Sequence, residues 1–183
     1  NCGGKRVCVS KIIPEVRRIT GKHFVKVDTS CCIKGKDECW LKLREAHKFS
    51  IVTGIARKQK QTSSISGDNY SLIELKDGKF VMILSDGMGS GPRAAMESGM
   101  AVNLIEKFLT AGYDQNTALE AVNSLLLINS DDDNYATVDM TIINQYTGDV
   151  EFLKVGAVST FIKYKDRVDI IRNSSLPAGI MDK

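Results

Sequence analysis

The spacing of apolar and polar positions changes period several times along the chain. Residues 7–19 (VCVSKIIPEVRRI) carry a helical pattern, with Pro14 in the first turn or at an entry kink. Phe24–Asp28 (FVKVD) alternates as a half-buried strand does; Trp40, Leu41 and Leu43 follow, and Phe49–Thr53 reads as a further strand. Tyr70–Leu75 and Phe80–Ser85 are apolar runs separated by Lys76-Asp77-Gly78-Lys79, and Asp-Gly between two such runs predicts a two-residue hairpin turn. From Pro92 the period lengthens. Met96, Met100/Ala101, Leu104/Ile105 and Phe108/Leu109 fall on one helical face, and Gly112 stops it. A second helix over about 117–129 follows, capped by Asn116 or Thr117, with Thr117-x-x-Glu120 as a capping box. Its apolar face is Ala118, Ala121/Val122, Leu125 and Ile128. Thr137–Gln145, Val150–Val155, Phe161–Tyr164 and Val168–Ile171 then read as a meander, turning at Thr147-Gly148-Asp149 and Asp166-Arg167. Ser174–Ile180 is a loop.

Strands, two consecutive helices, then strands again describe an α+β fold with antiparallel hairpins, not βαβ alternation. The helical hairpin is expected to pack on the sheet through its apolar stripes. Residues 1–46 have the character of a small α/β segment of their own, preceding a second region over 47–183. Arg57, Lys58, Gln59 and Lys60, with the polar residues after them, form a solvated connection.

Composition narrows the classes. Of 183 residues 43% are apolar, enough for a real core and too many for a disordered chain. A net charge of +3 gives no argument for nucleic acid or an anionic membrane as partner. The longest apolar runs, such as Phe80–Leu84 and Leu125–Ile128, are too short to span a bilayer. The start, Asn1-Cys2-Gly3-Gly4-Lys5-Arg6, has neither an initiator methionine nor a signal-peptide core, so a chain cut or processed from something longer is expected. Cys2, Cys8, Cys31, Cys32 and Cys39 are odd in number, include an adjacent pair and form no C-x-x-C. They read as reduced structural thiols of a cytosolic protein.

The chemistry concentrates at Ser85-Asp86-Gly87-Met88-Gly89-Ser90-Gly91-Pro92. A dinucleotide loop fails here: its last glycine slot would be Pro92, no parallel βαβ unit surrounds it, and Asp86 would repel a pyrophosphate. A Walker loop would need Gly-Lys-Ser/Thr, which is absent. A carboxylate site for a hard divalent cation fits better. A two-residue turn pairs Asp68 with Gly87 and Asn69 with Asp86, which brings Asp68 and Asp86 to the open end of one hairpin. Glycine at 87 lets a backbone carbonyl approach an ion, and Gly89 and Gly91 turn the chain into the helix. Oxygen donors of this kind suit Mg²⁺ or Mn²⁺, whose bound water attacks phosphorus in line. Asp131-Asp132-Asp133 reads as a solvated loop, Asp139 as a hydrogen-bonded structural acid, and His23 and His47 as surface or packed residues.

Ser66-Gly67-Asp68-Asn69-Tyr70 followed by Ser85-Asp86-Gly87-Met88-Gly89-Ser90-Gly91 resembles the first two metal motifs of PPM-type (type 2C-like) serine/threonine protein phosphatases, in the form carried by the bacterial stage II sporulation protein E group. Val52-Thr53-Gly54, Lys154-Val155-Gly156, Phe161-Ile162-Lys163 and Leu176-Pro177-x-Gly179-Ile180 support it, and the resemblance covers residues 47–183. It implies a β-sandwich flanked by helix pairs. It also implies two Mn²⁺ or Mg²⁺ ions, with Asp86 bridging them, the Gly87 carbonyl as a ligand and Asp68 holding metal-bound water. The implied substrate is a phosphoserine on an anti-sigma-factor antagonist, whose dephosphorylation frees a sporulation sigma factor. The helices at about 92–110 and 117–129 look like the family's switch helices, through which a homodimer is expected. Members are similar in being anchored by a preceding membrane region, which implies a cytoplasmic domain of a parent at the membrane or division septum. The family's later S/T-D-G and D-D-x-T motifs do not occur, so a C-terminally truncated domain with weak metal binding and little activity is expected. Alternatives are a non-catalytic regulatory module and a stress-response phosphatase with another antagonist.

Overall fold

The computed structural model describes residues 7–30, 40–57, 65–89, 91–128, 135–172 and 175–179. Two units are distinguished, Asn1–Ser50 and Ile51–Lys183. In the first, a π-helical turn at Cys8–Ile12 runs into helix α1 (Ile13–Thr20), with Pro14 in its first turn and Gly21 closing it in the left-handed conformation. Strands β1 (Phe24–Ser30) and β2 (Trp40–Glu45) pair antiparallel, with a bulge between Lys26 and Asp28. Cys8 carries a free thiol, and the other four cysteines lie outside the described residues.

The second unit is built on an antiparallel sheet in the order β3 (Asp68–Glu74), β4 (Lys79–Asp86), β5 (Val138–Asn144) and β6 (Val150–Val155). The period-2 pattern of β4 and β5 puts Val81, Ile83 and Ser85 on one face beside Val138, Met140 and Ile142, all buried. Helix α2 (Pro92–Ala111) packs against β3 and β4, and helix α3 (Gln115–Ile128) packs on α2. Their Ala101, Val102, Ile105, Leu109, Ala118, Val122 and Leu126 complete one core with that sheet face. Strands β7 (Thr160–Lys163) and β8 (Val168–Ile171) form a separate hairpin. The architecture is α+β, as the element order predicts.

Several expectations are corrected. Residues 49–53 form no strand: no described segment offers them ladder hydrogen bonds, and Val52 is 96% exposed. Helix α3 starts two residues early, because Asp114 is its cap and not Asn116 or Thr117. Its Oδ1 accepts from the N–H groups of Asn116 (2.9 Å) and Thr117 (3.1 Å), and Thr117 Oγ1 donates to Oδ2 (2.6 Å). Thr117 therefore lies inside the helix and opens no capping box with Glu120. The apolar stripes shift too. Met96 is 60% exposed and Ile128 83%, while Ala94, Glu97, Ser98 and Leu126 are buried in their stead. The run Asp131–Asp133 lies outside the described residues. Among the described residues no helix is long and apolar enough to cross a membrane.

Candidate metal centre

The site begins with the hairpin register, and here the expected pairing is off by one. Leu75 N donates to Lys79 O (2.8 Å) and Gly78 N to Leu75 O (3.1 Å), so the loop holds three residues, with Gly78 at φ +80°. That is a tight turn closed by a left-handed residue, not a two-residue turn. Only glycine fits that position: a Cβ at Gly78 would lie 2.2 Å from the Tyr146 ring, and Gln145 N donates to Gly78 O (3.0 Å). The register that results pairs Asp68 directly with Asp86, Asn69 with Ser85 and Tyr70 with Leu84. The one-residue difference decides which face each carboxylate takes. Directly opposed residues share a face, whereas the expected register would have sent the two carboxylates to opposite faces of the sheet.

Both carboxylates stand at the sheet end, on the face away from α2. Asp68 is half-buried and Asp86 exposed. Ser66 Oγ donates to Asp68 Oδ2 (3.0 Å), and Arg57 Nη2 donates to the Asp68 main-chain carbonyl. Asp86 N donates to Thr137 Oγ1 (3.0 Å) and Thr137 N to Asp86 O (2.9 Å), so Thr137, just before β5, holds the strand end from the other side. These residues border a trough of about 540 Å³ along the outer face of the sheet, lined also by Leu72, Met82, Leu84, Asp139 and Thr160.

Close packing fixes the glycine loop above the pair. A Cβ on Gly87 would lie 2.1 Å from the Ala94 carbonyl oxygen, so only glycine lets α2 seat on the strand end. Ser98 Oγ donates to the Gly67 carbonyl, and Asn69 Nδ2 donates to Ser98 Oγ (2.8 Å) and Ala95 O (2.8 Å). The carbonyl oxygens of Gly87 and Gly89 both approach Gly67, within 3.6 and 3.5 Å of where its Cβ would stand. The two paired carboxylates are hard oxygen donors, of the kind that suits a hard divalent cation and not a soft one. Among the described residues no group of three or more His, Cys, Asp or Glu side chains could hold an ion.

Asp139 bears out its reading as a hydrogen-bonded acid: it accepts from Lys154 Nζ and, at Oδ2, from Thr160 Oγ1 (3.2 Å). Sequence reasoning missed Arg57, Thr137, Asn69 and Ser98. Their partners are 11 to 51 residues away in the chain, and no local pattern marks such contacts.

The family described as stage II sporulation protein E (SpoIIE) matches residues 76–183, which include Asp86 and Gly87 but not Asp68. Stage II sporulation protein E of Priestia megaterium is 34% identical over 182 residues, covering 100% of this chain and 31% of that protein. Its namesake in Bacillus subtilis (strain 168) is 39% identical over 135 residues, covering 74% of this chain and 16% of that protein. The chain thus spans under a third of either curated relative. A solved structure of the PP2C phosphatase domain and a fragment of the regulatory domain of SpoIIE from Bacillus subtilis superposes with a TM-score of 0.75. It is 32% identical and covers 94% of this chain and 52% of that one. With the family match spanning more than half of its residues, this chain belongs to the stage II sporulation protein E family of PP2C-type (PPM) phosphatases.

Proposed function

We propose that this chain is part of a metal-dependent protein serine phosphatase, with Asp68, Asp86 and the Gly87 carbonyl as its share of a two-ion Mn²⁺ or Mg²⁺ centre. The observation that carries the reading is the direct pairing of Asp68 with Asp86 on one sheet face. Bound divalent ions would supply a water of lowered pKa and neutralise charge developing on a phosphoryl group. The Asp86 backbone is held by the hydroxyl and the N–H of Thr137, which suits a fixed ligand. Asp68, fixed by Ser66, orients water at the half-buried side. Gly87 brings main-chain oxygen close because it has no side chain.

The substrate in this reading is a phosphoserine on an anti-sigma-factor antagonist, whose dephosphorylation activates a sporulation sigma factor, as family membership suggests. The parent acts at the membrane or division septum, α2 and α3 serve as switch helices, and a homodimer forms through them. A hard cation takes about six oxygens. With no set of three acidic, histidine or cysteine side chains among the described residues, these 183 residues by themselves bind Mn²⁺ weakly and turn over slowly. The test is Asp86→Asn in the intact parent, assayed on a phosphoserine protein with Mn²⁺. A loss of 10²-fold or more in kcat is expected, and retained activity overturns the reading. Robust Mn²⁺-dependent turnover by the 183-residue chain alone would overturn the weak-binding part.

A further inference from the structure

We propose that Asp139 is a positioning carboxylate for the cation end of the trough, acting on the ion through its charge, with Lys154 as its built-in counter-charge. This rests on reading Asp68 and Asp86 as cation ligands. Asp139 stands opposite Leu84 on β4 and opposite Lys154 on β6. It therefore shares the outer sheet face with Asp86, one row further from the sheet end, and both line the same trough. Diagonal neighbours of this kind have Cα atoms about 7–8 Å apart. Lys154 and Thr160 hold Asp139 Oδ2 back on its own strand row, and from that distance its charge acts on an ion at Asp86.

The pair is enclosed: Lys154 is 4% exposed and Asp139 15%. Lys154 Nζ donates to Asp139 Oδ2 and to the Val158 carbonyl (2.8 Å), and Thr160 Oγ1 also reaches Oδ2. Every donor converges on that one oxygen. Asp139 Oδ1 is buried with no hydrogen bond in the protein. A buried ion pair left incompletely hydrogen-bonded is no better for stability than apolar residues of the same volume. Stability therefore gives no reason for charge at these positions, whereas a cation site one row away does. Asp139 adds attraction for an ion, and Lys154 moderates it.

Opposite signs test this. In the 183-residue chain, Mn²⁺ affinity would be measured by the EPR signal of free Mn²⁺, with folding checked by the thermal midpoint in EDTA. Asp139→Asn removes the negative charge beside Lys154 and is expected to weaken Mn²⁺ binding roughly tenfold. Lys154→Met leaves Asp139 uncompensated and is expected to tighten it severalfold despite a lower thermal midpoint. The neutral double variant, Asp139→Leu with Lys154→Met, is expected to fold and to bind close to wild type. A packing defect only weakens binding, so the tightening in Lys154→Met carries the test even if Asp139→Asn fails to fold. Weaker or unchanged binding in Lys154→Met overturns the proposal, while loss of binding in Asp86→Asn leaves the cation reading standing. No Mn²⁺ binding by the wild-type chain overturns the proposal, while the cation reading itself is decided by Asp86→Asn in the intact parent.

Discussion

Gly87 and Gly89 are neighbours in one loop, yet substitution at each meets a different obstacle. A Cβ at Gly87 would collide with the Ala94 carbonyl, which is backbone and cannot rotate aside. At Gly89 nothing stands within 4 Å, and the cost is only the left-handed conformation at φ +83°. Gly87→Ala is expected to destabilise the fold by about 3 kcal/mol and to displace the first turn of α2 from the Asp86 end. Gly89→Ala should cost about 1–2 kcal/mol. Urea unfolding of the two variants measures both, and equal losses would show that α2 does not seat on the strand as described. The sequence gives no sign of the Gly87 contact, since the residue that makes it, Ala94, marks no apolar stripe.

At the scale of elements, the caps and faces of the two helices carry the expectations. Asp114 caps α3, and the Thr117 hydroxyl, with the N–H groups of Thr117 and Asn116, holds its carboxyl below the ordinary value near 3.8. A group depressed in the folded state contributes stability that is complete above its unfolded pKa and is lost as pH falls through the folded one. Asp114→Ala is therefore expected to lower the thermal midpoint by about 2–4 °C at neutral pH, and the gap to wild type should close below about pH 4. A gap constant from pH 7 to pH 2 would remove the cap from this role. The faces give a second contrast. Leu126→Ala is expected to cost about 3 kcal/mol, because that side chain is buried against the core. Ile128→Ala should stay within about 0.5 kcal/mol, since Ile128 is 83% exposed. Denaturant midpoints of the pair decide it, and a reversed order would rotate α3 about its axis.

Across the whole molecule, element type and order follow from the sequence alone, because periods of 2 and 3.6 are local properties of side-chain spacing. The hairpins, the helix pair, Pro92 at the start of α2 and Gly112 at its end are all legible in this way. So is the placing of Asp68 and Asp86 at the open end of one hairpin, since an Asp-Gly turn between apolar runs fixes which strand ends meet. The tertiary structure alone decided the register. Tyr146 packs over Gly78 in a three-residue turn, and that single-residue choice puts Asp68 and Asp86 on one face. It alone turned Met96 outward and buried Ala94 and Ser98, because helix and sheet approach closely at Gly67 and Gly87. It alone paired Asp139 with Lys154 across two strands. In each case the deciding contact joins residues distant in the chain, and pattern along the chain carries no record of distance through space.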